Sequence, residues 1–425
     1  MKKLIALLLA ATMVIGVTSA VFADDVKITA PMVGYNEDQI ADAEAKDDGP
    51  DYTDNYRMAV TNSVAEKYPD YEMEYVDWGW AESLDQKQRS LFSAGTPSNI
   101  VAGETFMPTY AAEGLLEPLP DDIVESVNPT FLLSDPDGVP VAVAYKTSIF
   151  MLFFNKDLME KAGLDPETPP TTWSEWKEMS DKITEAGDGE FYGGGIPTFP
   201  HAGGAFRATP FFRQMGTDFA LDGVQNLDDP ALQETLEFIR EMNHNFPEGL
   251  GNGTDEDPLW SAFHDNQLGF VINGSWEAAE STTNEINWGV APLPLPDDGG
   301  EVGNCTVGSV FLAVPKNADF KEEAFNVIRE AISADNEAIW LTGSYCPATK
   351  EIIEDEELYK DDICLVAEME EIRNGVYSGL ALFEKNDAAI WEIIDQQVLQ
   401  RVTMTEDPID EICQDAIYQI EPLQK

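Results

Sequence analysis

Apolar and polar positions follow two recurring patterns along this chain. Tyr71–Val76 and Val307–Val314 alternate as β-strands do, whereas Pro230–Asn243 places its apolar residues at helical spacing. Strands and helices follow one another through most of the sequence, which predicts an α/β fold with a largely parallel sheet. No low-complexity linker divides the chain. This favours two lobes joined by several crossings over two domains in tandem.

One stretch has a distinctive order of elements. Two apolar runs, Val139–Ala144 and Ile149–Phe154, flank a polar break at Lys146–Ser148. A charged helix over Lys156–Ala162 follows. After a Pro-rich turn, a second helix is predicted over Thr172–Ala186.

The first residues have the pattern of a secretory signal peptide. Lys2 and Lys3 precede an uncharged apolar segment, Leu4–Val17, and Val21–Ala23 fits a small-x-small cleavage site. We therefore expect residues 1–23 to be removed. Because no cysteine lies near the cleavage point, we expect a released periplasmic or extracellular protein rather than a lipoprotein.

The charge of the chain is strongly negative. Lys and Arg number 25 against 79 Asp and Glu, giving a formal net charge of −54. Nucleic acid is thereby excluded as a partner, because its binding needs a positive surface. The acidity either attracts cations or polyamines or forms a solvated surface. The scatter of the acids favours the second interpretation. The densest patches, residues 42–54, 255–257 and 354–357, are predicted to be surface loops or helix faces.

Neither a metal nor a cofactor is expected. The four cysteines lie far apart without a CxxC motif: Cys305, Cys346, Cys364 and Cys413. One or two disulfides and four free thiols both remain open. Residues 135–138 resemble the start of a calcium loop but lack its further ligands.

Five segments together resemble, in sequence and in order, the landmarks of the bacterial extracellular solute-binding proteins that serve ABC sugar importers. These segments are Phe92–Leu119, Phe153–Leu164, Ala262–Trp276, Trp288–Pro296 and Thr306–Ile328. The chain departs from the family pattern at Asn99, at Phe154 and at Asn266–Gly269. The resemblance implies a monomer of two α/β lobes that close about a hinge over a solute, do no chemistry, and dock on a membrane permease.

The resemblance also implies where the lobes begin and end. Residues 24–145 and 288–342 would form the first lobe, and residues 146–287 and 343–425 the second. Lys146–Ser148 would then lie at the hinge and at the floor of the cleft.

A sugar site needs aromatic platforms for ring faces and polar groups that bind hydroxyls. Trp276 is the leading candidate because it follows Gly-Ser at a strand-to-helix turn. Family positions and predicted loops add Glu104, Thr105, Phe106, Tyr35, Asn36, Ser148, His201, Phe206, Arg207 and Ser309. Further aromatics that could stack on a ligand are Trp78, Trp80, Trp260, Tyr345, Tyr377 and Trp391.

Two alternatives remain beside a mono- or oligosaccharide ligand. The same fold could bind a polyamine or another cationic solute, which would need acids and aromatics clustered in the cleft. A secreted glycosidase would need a pair of catalytic carboxylates. With 79 Asp and Glu residues in the chain, the sequence alone does not identify such a pair. The sequence has no nucleophile elbow, HExxH, P-loop or Rossmann glycine motif, which argues against an enzyme.

Overall fold

The structure, a computed structural model, describes residues 26–46, 49–300, 305–374 and 376–425. The predicted signal peptide lies outside these residues. The strands are β1 (Val26–Pro31), β2 (Tyr71–Val76), β3 (Val101–Gly103), β4 (Leu132–Ser134), β5 (Pro140–Ile149), β6 (Met151–Asn155), β7 (Ala220–Leu221), β8 (Val224–Gln225), β9 (Phe270–Asn273), β10 (Trp288–Ala291), β11 (Cys305–Ala313) and β12 (Val376–Ser378).

Helices lie between most of these strands and follow the last of them. They are α1 (Glu37–Glu44), α2 (Tyr52–Lys67), α3 (Ala81–Ala94), α4 (Met107–Ala112), α5 (Asp121–Ser126), α6 (Lys156–Lys161), α7 (Trp173–Gly187), α8 (Ala202–Gln214), α9 (Pro230–Met242), α10 (Asp257–His264), α11 (Trp276–Thr283), α12 (Lys321–Ala331), α13 (Ala334–Glu337), α14 (Lys350–Ile353), α15 (Ile363–Asn374), α16 (Asp387–Ile393), α17 (Arg401–Met404) and α18 (Ile409–Gln424). A π-helical segment, Ile394–Gln400, joins α16 to α17.

Two main sheets divide the fold into two lobes. The first lobe contains a five-stranded sheet of order β12-β11-β5-β4, with β3 also paired to β11. The second lobe contains a three-stranded sheet of order β10-β6-β9, whose central strand β6 is buried along its whole length. Among the described strands, only β1–β2 and β11–β12 pair in parallel.

The expectation of a largely parallel sheet was therefore wrong. The pairs β11–β5, β11–β3, β5–β4, β6–β9 and β6–β10 are antiparallel. The reason is the repeated crossing between lobes. A strand that leaves a lobe, such as β5, lies beside one that returns to it, such as β11, and the two run in opposite directions.

The predicted polar break at Lys146–Ser148 is also wrong as an element boundary. These residues lie inside β5, and Phe150 alone separates β5 from β6. The strand continues because its polar side chains find partners. Thr147 Oγ1 donates a 2.6 Å hydrogen bond to the carbonyl of Cys346, and Ser148 Oγ accepts one from a backbone N–H across the cleft.

The predicted lobe boundaries stay a prediction, and strand pairing argues for a shift. β10 pairs with β6 of the second lobe, although residues 288–291 were expected in the first. β12 pairs with β11 of the first lobe, although residues 376–378 were expected in the second. We propose crossings at Phe150, between Ala291 and Cys305, and after Ser378.

Several local predictions are confirmed. α7 begins after Thr172, which forms a capping box with Glu175. α9 begins after Asp229, whose carboxylate accepts from two backbone N–H groups of the first turn. The four apolar residues that follow helical spacing in this segment are all buried: Leu232, Leu236, Ile239 and Met242.

The cysteine alternatives are partly resolved. Cys346, Cys364 and Cys413 are buried free thiols, while the side chain of Cys305 lies outside the described part. In the described ranges, no helix is long and apolar enough to cross a membrane.

Candidate ligand-binding cleft

A cavity of about 490 Å³ lies between the two lobes. Its size is that of a small-molecule site, which typically measures roughly 300–1,000 Å³. The first lobe contributes Trp80, Glu104, Thr105, Phe106, Lys146, Ser148, Gly308 and Tyr345. The crossing and the second lobe contribute Phe150, Phe206, Arg207, Glu256 and Trp276.

Trp276 forms an aromatic face in this cavity. It begins α11 directly after β9, and its ring meets Phe150 edge to face at 5.9 Å between centroids. Gly274 is required for this arrangement. A Cβ at that position would lie 2.1 Å from Trp276 Cζ3 and 2.3 Å from Ser148 Oγ. The Gly-Ser-Trp sequence therefore lets the indole lie flat against the turn that precedes it.

Ser148 connects the two lobes at the floor of the cavity. Its Oγ accepts a 3.1 Å hydrogen bond from the N–H of Ser275, at the start of α11. Both serines are buried. The bond holds the end of β5 against the turn that positions Trp276.

Arg207 is held by protein atoms on several sides. Its Nε donates to the carbonyl of Ile272 (3.1 Å), Nη1 to that of Gly203 (2.8 Å), and Nη2 to Asn273 Oδ1 (3.0 Å). Nη1 also lies 2.9 Å from Glu256 Oε2. Burial lowers the pKa of Arg207 to about 10, so the guanidinium stays charged at neutral pH. This arginine stabilises the second-lobe wall.

The same network continues behind the wall. Glu277 is fully buried and accepts hydrogen bonds from Asn273 Nδ2 (2.8 Å), Ser281 Oγ (2.6 Å) and His264 Nε2 (2.8 Å). The hydrogen bond to Glu277 raises the pKa of His264. His264, Glu277 and Glu280 lie close enough to hold a metal ion. Because both oxygens of Glu277 already accept hydrogen bonds, we assign the cluster a structural role.

The first-lobe wall differs. Within the described part of the chain, the side chains of Glu104 and Lys146 make no hydrogen bond or ion pair closer than 4.0 Å. Lys146 Nζ lies over the ring of Tyr345, 4.2 Å from its centroid. Burial, with the charge of Arg57, lowers the pKa of Lys146 to about 8. Burial raises the pKa of Glu104 to about 7, against the opposing charge of Lys146. Both polar groups face the cavity.

A second cavity of about 280 Å³ adjoins the first. The two cavities share the lining residues Glu104, Thr105, Phe106, Ala202 and Phe206. The second is extended by Ser309 and Phe311 of β11 and by Trp391 and Asp395 near α16. The cleft is therefore long enough to hold more than one ring-sized group.

The structure brings most of the sequence-predicted residues together. Glu104, Thr105, Phe106, Ser148, Phe206, Arg207 and Trp276 line the first cavity, and Ser309 lines the second. Of the aromatics considered for stacking, Trp80 and Tyr345 line the first cavity and Trp391 the second.

Three predicted residues line neither cavity. The Tyr35 hydroxyl donates to Asp54 (2.9 Å), and the side chain of Asn36 caps α1. His201 caps α8 and stacks on Phe199, with 5.6 Å between ring centroids. Each is engaged in local structure, although His201 directly precedes cavity-lining Ala202.

Lys146, Phe150, Glu256 and Asp395 were not predicted as site residues. The sequence did contain a signal for Lys146, because it places a lysine within a buried strand. Burying an ammonium is costly unless it gains a partner, so such a lysine is a candidate ligand contact. Glu256 belongs to an acidic patch that was expected on a surface loop, but it pairs with Arg207 in the cavity wall. No local signal distinguished it.

Sequence comparison finds several relatives of the chain. It is 26% identical over 275 residues to a protein of Brucella abortus named as a binding protein, a match over 60% of this chain and 62% of that protein. It is 26% identical over 220 residues to the sn-glycerol-3-phosphate-binding periplasmic protein of Shigella flexneri, over 48% of each chain. These matches span less than two thirds of the relatives' length.

Solved structures show the same fold across nearly the whole chain. An ABC transporter solute-binding protein of Thermotoga lettingae, bound with α-D-tagatose, gives a TM-score of 0.72 at 21% identity and covers 94% of this chain and 100% of its own. The cyclic α-maltosyl-1,6-maltose binding protein of Arthrobacter globiformis gives 0.73 at 20% identity, covering 94% and 99%. Both share the two-lobed periplasmic-binding-protein fold. The model of one protein family, the bacterial extracellular solute-binding proteins, matches residues 24–338, and the chain belongs to this family.

Proposed function

We propose that this protein captures a carbohydrate outside the cytoplasmic membrane by closing its lobes, and delivers it to the permease of an ABC importer. It would act as a monomer, without a cofactor and without chemistry. The observation that carries the proposal is the composition of the first cavity. Trp276 and Phe150 offer aromatic surface, and Glu104 and Lys146 offer unbonded polar groups opposite.

This arrangement suits a sugar. A pyranose presents apolar C–H faces that pack on an aromatic ring and hydroxyls that donate to a carboxylate or accept from an ammonium. The solutes named for two structural neighbours, tagatose and a cyclic maltosyl-maltose, are sugars. Closure would bring the polar groups of one lobe over a ring lying on the other.

Glycerol phosphate, named for some relatives, fits less well. A phosphate dianion is bound by several cations or backbone N–H groups. Lys146 is the one cation of the first cavity not already bonded to protein atoms in the described structure, because Arg207 is engaged by four groups. Glu104 would repel the anion.

A thermal-shift screen of residues 24–425 tests the proposal. The panel is mono- and disaccharides, sn-glycerol 3-phosphate, spermidine and calcium. A ligand that binds only the native state stabilises it by mass action, by roughly 2.7 kcal/mol at one hundred times its Kd, and so raises the melting temperature. We expect at least one sugar to do this.

Two results would contradict the proposal. Stabilisation by spermidine or glycerol phosphate, with no effect of any sugar, would replace the substrate class. Release of new reducing ends from an oligosaccharide that binds would show an enzyme instead.

A further inference from the structure

The second cavity contains buried polar groups that have no partner in the described structure. Asp395 is 5% exposed and its Oδ1 has no hydrogen-bond partner there; Ser309 is 1% exposed and its Oγ has none. Buried polar atoms in native proteins are nearly always bonded, so each exception needs an explanation. Both residues line the same cavity, one from each lobe.

The helix that carries Asp395 is unusual at this point. Trp391 lies in α16, and Asp395 lies four residues later in the π-helical segment Ile394–Gln400. Residues four apart share a helix face, and π-helical turns are rare and concentrated at functional sites. Trp391 is positioned by its Nε1–H, which donates to the carbonyl of Ala381 (3.0 Å), and by ring contacts with Phe219 and Phe383. Trp391 and Asp395 thus line one cavity.

The charges around this cavity favour a cation. Its lining includes Asp85, Glu104, Asp387 and Asp395 against one basic residue, Arg89. Arg89 is already engaged by Asp85 (3.0 Å) and Glu113 (3.4 Å). Burial raises the pKa of Asp395 to about 7, and no basic side chain pairs with it in the described structure. A cationic donor would compensate it, whereas an anionic group would be repelled.

We propose that the second cavity takes the ammonium group of an amino sugar, bound by Asp395 and Ser309, while another ring of the same saccharide occupies the first cavity. The inference rests on the proposed function and specifies its substrate class. The shared wall of Glu104–Phe106 and Phe206 allows one ligand to span both cavities. Trp391 would contact the apolar face of the amine-bearing ring.

The test compares saccharides that differ only by the replacement of a 2-hydroxyl with an amine on each ring. Calorimetric titrations would use glucosamine with glucose, galactosamine with galactose, and the β-1,4 glucosamine disaccharide with cellobiose. We expect the amine member to bind about tenfold more tightly in at least one pair, because a charge-assisted hydrogen bond exceeds a neutral one. N-acetylation, which removes the charge, should abolish the gain.

Matched variants assign the effect to the cavity. Asp395→Asn should remove the amine preference and leave the affinity for the hydroxyl member within about twofold, since it keeps the shape and removes the charge. Glu392→Gln removes one charge from the exposed face of the same helix and should keep the preference. Thermal melts of both variants check that they fold.

The outcomes are distinct. Equal or weaker affinity for the amine in every pair that binds would overturn the amine assignment, as would an amine preference that survives in Asp395→Asn. Failure of every sugar to bind a protein that melts cooperatively would overturn the proposed function itself. If spermidine is the only ligand that binds, and its binding is lost in Asp395→Asn, the proposed function is also overturned and the second cavity is assigned to a polyamine.

Discussion

The two walls of the first cavity are built differently. In the second lobe, Arg207, Asn273 and Glu277 direct their polar groups to one another and to backbone carbonyls. In the first lobe, Glu104 and Lys146 face the same cavity without a hydrogen bond from any described residue. The polar groups of the second-lobe wall are hydrogen-bonded to protein atoms, whereas those of the first-lobe wall are available to a ligand.

The difference suggests a division of labour. A satisfied network makes a rigid support, and here it supports an aromatic surface, Trp276, that tolerates many sugar rings. Unsatisfied groups such as Glu104 and Lys146 cost stability in the empty protein and gain partners only when a ligand fills the cavity. Lobe closure would then bring the selective wall onto the supporting one.

The largest expected effect is on stability and is confined to one wall. Arg207→Met should lower the free energy of unfolding by about 3 kcal/mol, because it leaves Asn273, Glu256 and two carbonyls without their donor. Lys146→Met, the same change on the other wall, should alter it by less than about 1 kcal/mol, because no hydrogen bond is lost. Urea unfolding of both variants measures the difference.

Equal destabilisation by the two variants would remove the distinction between the walls. A loss of stability in Lys146→Met alone would mean that the first-lobe wall, not the second, is the one held by its own polar contacts. The unfolding slope should match that of the parent protein, which confirms that the same structure is being unfolded.

The next effect concerns ligand affinity. Trp276→Ala should weaken binding of the sugar found in the thermal-shift screen by about 30-fold, roughly 2 kcal/mol, as truncation of a central aromatic anchor does. Trp288→Ala is the control, because Trp288 is also half-buried but packs on Phe153 away from both cavities. Unchanged affinity in Trp276→Ala, measured by calorimetry, would show that the ring is only a packing residue.

The second-lobe wall was more predictable than the first. The strand, the Gly-Ser turn and the helix around Trp276 are consecutive in the chain, so a local pattern contains the whole arrangement. The loop Glu104–Phe106 was also found, because it follows a short apolar strand. The sequence therefore predicted the parts of the site that a single continuous segment forms.

The remaining parts depend on segments that meet only in three dimensions. Glu256 pairs with Arg207 across 49 positions, and Asp395 lines the same cavity as Ser309, 86 positions earlier in the chain, so neither arrangement has a local signature. Tyr35, which was predicted to bind the ligand, lines neither cavity. The hydroxyl of Tyr35 donates to Asp54 on α2, a contact between separate segments of the chain. The sequence also did not show that β5 continues through Lys146–Ser148. The partners that stabilise the strand there come from distant segments: β11, the start of α11 and Cys346.

The smallest effect is a pH dependence from Glu104. Burial raises the folded-state pKa of Glu104 to about 7 from an ordinary 4.5. Such a group favours the folded state most at pH values below its unfolded pKa, and this contribution is lost as pH rises toward 7. Glu104→Gln removes the titration, so its stability relative to the parent protein should increase between pH 5 and pH 8. Glu66→Gln, the same substitution at an exposed position, is the matched control.

The same variant connects this cost to binding. If the ionised carboxylate is retained for the ligand, Glu104→Gln should be more stable than the parent at pH 8 and yet bind the sugar more weakly, because a charged acceptor is replaced by a neutral one. Denaturation and calorimetry at pH 8 measure the two quantities on one preparation. Greater stability with unchanged affinity would mean that the first-lobe carboxylate is simply unsatisfied. Lower stability would mean that it has a protein partner after all, and the contrast between the walls would then be wrong.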